Sequence, residues 1–131
     1  MEKFKFEIVK SQEQTHEEIP IDFHPLWIEV LKLIKEQFHK KPDLESILFL
    51  IGIQELQNTQ SVFSKEQKQD LMHIATCKLL SLDGYYKFID YDADGWPVYE
   101  IEKRLPIFSA IEQEAYLKKN VIRYFQEAHL I

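Results

Sequence analysis

A chain of 131 residues, 45% of them hydrophobic and 13% aromatic, with only 3 Gly and 5 Pro, fits one globular domain and excludes a disordered polymer. The net charge of −6 argues against a surface built to displace counterions from nucleic acid or to sit on anionic lipid. Cys77 is the single cysteine, which excludes an internal disulfide, and the longest apolar run, Ile47–Ile53, is far short of the roughly 20 residues of a membrane span.

The first ten residues alternate, with Phe4, Phe6 and Ile8 against Lys5 and Glu7, the period of a short strand. They are charged and lack an apolar h-region, so no signal peptide is expected and the expected location is cytoplasmic. Residues 11–24 are polar and read as a loop. Pro25 suits a first helical position, and Trp27, Val30, Leu31, Ile34 and Phe38 follow on one stripe, predicting a helix over 25–39.

Pro42 is expected to open a second helix of about 15 residues, with Asp43 and Glu45 in its first turn. Apolar residues from Ile47 to Ile53 cover nearly its whole circumference, which predicts a buried, central helix. Gly52 costs about 1 kcal/mol in a helix interior, so a neighbouring helix is expected to approach closely there. Ser64-x-x-Gln67 is a capping box opening a third helix over 65–82, with Leu71, Met72, Ala75, Leu79 and Leu82 as its stripe and Gly84 as its stop. His73, Cys77 and Leu80 lie opposite that stripe, so this helix is expected to be covered on two sides. Ser109-x-x-Glu112 is a second capping box; Ile111, Ala115, Val121, Ile122 and Phe125 form the apolar face of a fourth helix over 110–128.

Between the last two helices lie two aromatic and β-branched runs, 85–90 and 96–101, separated by Ala93-Asp94-Gly95, a hairpin signal. Pro97 restricts the second run to an edge or to a strand's first residue. The expected fold is therefore mainly α within the α+β class. About four helices pack with a small β-hairpin, to which the N-terminal strand can add.

The stretch 83–102 carries six carboxylates against Lys87 alone. Asp90, Asp92, Asp94 and Gly95 match the opening of a calcium loop, but its twelfth position is Ile101 where a bidentate Glu is needed, and its eighth is Pro97. Calcium at those three aspartates is thus an alternative to a solvated hairpin turn, and no other cofactor is expected. Glu36-x-x-His39 and Asp70-x-x-His73 imitate di-iron ligand pairs, but Glu36 points away from its helix's apolar stripe and His39 falls in the last turn, where neither faces inward. His73 and Cys77 share a face but fall short of four zinc ligands, and no phosphate loop, nucleophile elbow or His-Glu-x-x-His occurs.

Three helices followed by a hairpin have the order of winged-helix domains. The likeness is one of topology only and implies a regulator-like domain whose wing tip, Asp92-Ala93-Asp94-Gly95, is acidic where phosphate contacts would be wanted. The leading expectation is a non-catalytic interaction or scaffold domain. It would engage a protein partner or a second copy through Tyr86, Tyr91, Trp96 and Tyr99, with neither nucleic acid nor membrane as partner.

Overall fold

The computed structural model describes residues 20–39 and 42–131; the strand expected within the first ten residues lies outside them. A short 3-10 turn, Ile21–Phe23, precedes α1, Pro25–Phe38. Then follow α2, Leu44–Gln54; α3, Lys65–Ser81; β1, Tyr86–Tyr91; β2, Pro97–Ile101; and α4, Ala110–Glu127. Four helices and one antiparallel hairpin make the fold mainly α, as expected. None of the described helices is long and apolar enough to cross a membrane.

The helix ends follow from local chemistry. At α1, Pro25 occupies the first turn and His24 Nδ1 accepts from the Leu26 N–H at 3.1 Å. Both predicted capping boxes close reciprocally. Ser64 Oγ accepts from the Gln67 N–H and Gln67 Oε1 from the Ser64 N–H, and Ser109 and Glu112 repeat the arrangement. Helix α2 starts later than expected. Asp43 is its N-cap, its carboxylate accepting from the Ser46 N–H at 2.8 Å, because Asp satisfies an orphan amide better before the first turn than within it. At the end of α3, the N–H groups of Gly84 and Tyr85 reach the carbonyls of Ser81 and Leu80, a Schellman closure around left-handed Gly84.

The hub of the molecule is α3 rather than α2. It contacts α2, α4 and both strands, and Leu71, Ile74, Ala75, Cys77, Leu79 and Leu80 are buried around its circumference. Of the second side expected to be covered, at His73, Cys77 and Leu80, Cys77 and Leu80 are buried while His73 is exposed. Helix α2 buries Ile47, Leu48 and Ile51 and leaves Phe49, Leu50 and Ile53 half-buried, so it is a flank and not a centre. Of the glycines, Gly52 meets the tightest approach. A Cβ there would strike the Leu71 carbonyl oxygen and fall 2.7 Å from its carbon, so backbone meets backbone between α2 and α3. Against this pair, α1 brings Trp27, Val30 and Ile34, and α4 brings Tyr116, Leu117, Val121, Ile122, Tyr124 and Phe125. Ile111 departs from expectation. It has the right helical angle, but the first turn of α4 overhangs the core and the side chain is 82% exposed.

Candidate functional site

The hairpin begins from its turn. Gly95, at φ 86°, donates to the Asp92 carbonyl at 3.0 Å, and the Asp92 N–H reaches the Trp96 carbonyl at 2.8 Å. The resulting loop of three residues ends on a left-handed glycine. Asp92 Oδ1 accepts from both the Asp94 and Trp96 N–H groups at 2.9 Å, and Asp90 Oδ1 accepts from the Tyr91 N–H at 2.8 Å. Two of the three aspartates of the calcium-like pattern thus engage neighbouring backbone through their carboxylates, while Asp94 takes part through its main chain. Among the described residues no group of three His, Cys, Asp or Glu side chains is gathered as a metal would require. The tip is tethered to the α2–α3 loop. The Gln57 N–H donates to the Gly95 carbonyl at 2.8 Å, and Asn58 Nδ2 to the Asp94 carbonyl at 2.7 Å.

Strand pairing explains where the aromatics go. Tyr86 pairs with Ile101, Lys87 with Glu100, Phe88 with Tyr99, Asp90 with Val98 and Tyr91 with Pro97, leaving Ile89 as a bulge. In an unbroken strand residues 88 and 91 would point to opposite sides. The extra residue brings Tyr91 to the side of Phe88, and their rings meet 5.1 Å apart. Tyr86, Phe88, Tyr91, Pro97, Tyr99 and Ile101 therefore share one side, where Tyr99 also packs edge-on to Phe88. A simple alternation would have divided these rings between two faces; the bulge collects them. Asp92 and Trp96 form a hydrogen-bonded pair next to Pro97, so the pair Tyr91–Pro97 is a non-hydrogen-bonded one. The proline nitrogen faces away from β1 and costs the ladder nothing.

Of the four aromatics singled out in the sequence, Tyr86, Tyr91 and Tyr99 are half-buried on this common side. Trp96, also half-buried, turns instead toward Phe63 at 6.4 Å, which in turn meets Phe49 of α2. The Tyr99 hydroxyl is pushed well above its usual range by burial and by the charge of Glu55, with Cys77 and Tyr91 adding to the effect. Glu55 also accepts from the Tyr124 hydroxyl at 2.6 Å, tying α2 to α4 beneath the hairpin. What remains open to solvent is different: Phe88 at 42%, Ile89 at 46%, Val98 at 44% and Ile101 at 66%. On the same segment Asp90, Asp92, Asp94, Glu100 and Glu102 are exposed, and so are the cations Lys87, Lys103 and Arg104. The Lys103 ammonium lies over the Tyr85 ring at 4.7 Å.

A second polar cluster had no signature in the sequence. Asp83, just past α3, accepts from the Tyr116 hydroxyl, from Asn120 Nδ2 at 3.0 Å and from Arg123 Nη1 at 2.7 Å. Asn120, 2% exposed, also donates to the Leu79 carbonyl at 2.9 Å. Burial acts to raise the Asp83 pKa, but hydrogen bonds from Asn120, Tyr116 and Arg123 and the Arg123 charge outweigh it, holding the carboxyl below its usual range. Residues 33, 37 and 40 positions away complete this cluster, which is why no local spacing announces it.

The remaining reactive types are quiet. Cys77 is buried and its thiol pushed up to about 11; His73, 3.6 Å from it, is exposed. Glu36, His39, Asp70 and His73 all face solvent. A concavity of about 1120 Å³ lies between the 3-10 turn, the segment before α4 and α4 itself; of its charged or titratable lining, Glu112, His24 and Arg123 serve as caps or as the Asp83 partner, and Lys119 is a further cation. No family model, no curated protein and no solved structure matches this chain.

Proposed function

We propose that this protein is a non-catalytic interaction module whose working surface is the hairpin β1–β2. One observation carries the reading. The hairpin is fixed at its tip and along α3, yet Phe88, Ile89, Val98 and Ile101 stand 42–66% exposed on it. Apolar side chains held on a rigid support, ringed by polar ones, are the usual make-up of a protein contact. Tyr86, Tyr91 and Tyr99 contribute their open edges and set the support's stiffness. A reaction centre is a poorer account of the same residues. The tyrosine and cysteine protons are held more tightly than normal, and Asp92 spends its carboxylate on the turn.

An environment-sensitive apolar dye tests this on the native protein. Val98→Ser combined with Ile101→Ser is expected to weaken dye binding. The melting temperature should move by no more than about 2 °C, as for surface substitutions. A drop well beyond that would make these side chains part of the core, and undiminished dye binding would place the apolar surface elsewhere; either result defeats the reading.

A further inference from the structure

Resting on the hairpin as the contact surface, we propose that its partner is a cationic, apolar-rich polypeptide segment of another protein and not a second copy of this chain. Charge decides between the two. Asp90, Asp92, Asp94, Glu100 and Glu102 are exposed around the apolar side chains, and none forms an ion pair among the described residues. Lys103 is held over the Tyr85 ring, and Lys87 stands directly across from Glu100. Among the described residues the surface therefore keeps a negative excess. A two-fold symmetric self-contact sets a patch against itself. Here it would bring ten carboxylates into one interface with six Lys and Arg side chains, and like charges facing each other suppress association. A segment with Lys or Arg flanking apolar residues meets both halves of the surface at once. Its cations face the carboxylates while its apolar groups cover Val98, which lies with Asp90 and Glu100 on the side of the hairpin opposite Tyr99, and Ile89 in the bulge beside it.

The test uses the full chain and a synthetic peptide of alternating leucine and lysine, with the leucine–glutamate peptide as control. Binding of the lysine peptide is expected to weaken with salt. It should fall about tenfold when Asp90→Asn, Asp94→Asn and Glu100→Gln are combined, the summed effect of three rim charges. Removing equal charge elsewhere, with Glu29→Gln, Glu66→Gln and Asp70→Asn, should leave it nearly unchanged. Val98→Ser with Ile101→Ser should also weaken it, with the fold intact by melting. If the remote triple variant weakens binding as much as the hairpin one, the attraction is bulk charge and the cationic partner is refuted. If sedimentation finds a dimer or larger assembly that the serine pair dissolves, the partner class is refuted while the hairpin stands as the contact surface. If the chain stays monomeric and binds neither peptide, both proposals fall.

Discussion

Two attachments to the same helix hold this fold together in different ways. Where α2 crosses α3, Gly52 lies on the Leu71 backbone with no room for another atom. Where α4 meets the end of α3, Asp83, Tyr116, Asn120 and Arg123 form a half-buried set of hydrogen bonds and one ion pair. The first contact depends on shape and is indifferent to protons. The second depends on a carboxylate staying ionised and on every member finding its partner. The comparison teaches that the two ends of α3 are stabilised by different physics, so different stresses should release them.

The largest expected effect is at the crossing. Gly52→Ala should destabilise the protein by about 3 kcal/mol, at the upper end for overpacking because the obstacle is backbone. Denaturant unfolding should give a similar loss at pH 7 and at pH 4. A loss below about 1 kcal/mol would mean the helices can part and would erase the contrast. Next comes Asn120→Ala, expected to cost about 2 kcal/mol by leaving the Leu79 carbonyl short of a partner in the interior. A near-neutral result would show that solvent enters the cluster easily.

The smallest effect is the most discriminating. Because the folded state holds the Asp83 carboxyl below its ordinary value, its contribution is present at neutral pH and lost as the pH falls below about 4. Asp83→Asn should therefore be less stable than wild type at pH 7 and closer to it at pH 3. Parallel pH curves for the two proteins would remove Asp83 as a source of acid sensitivity.

The Gly52 contact was legible from the sequence and the Asp83 cluster was not, for a physical reason. A glycine inside an apolar helical run violates a local preference, and a violation signals compensation. Asp83, Asn120 and Arg123 violate nothing where they stand; they look like surface residues until the chain folds. The hairpin lies between these cases. Its turn, Pro97 and Gly95 announced it, but the register slip at Ile89 has no strong local signal. That slip decides which aromatics are seated and leaves Ile89 in the open. The surface proposed above lies on the hairpin that the sequence singles out, while its exposed apolar members, Phe88, Ile89, Val98 and Ile101, differ from the four aromatics chosen by sequence.

The bulge and Pro97 have one more consequence. A two-stranded ribbon with exposed isoleucine, valine and phenylalanine is the kind of element that recruits further strands into fibrils. Here one rim is broken by an unpaired residue and the other carries a proline with no N–H to offer. Both features deny an incoming chain a continuous ladder to grow on.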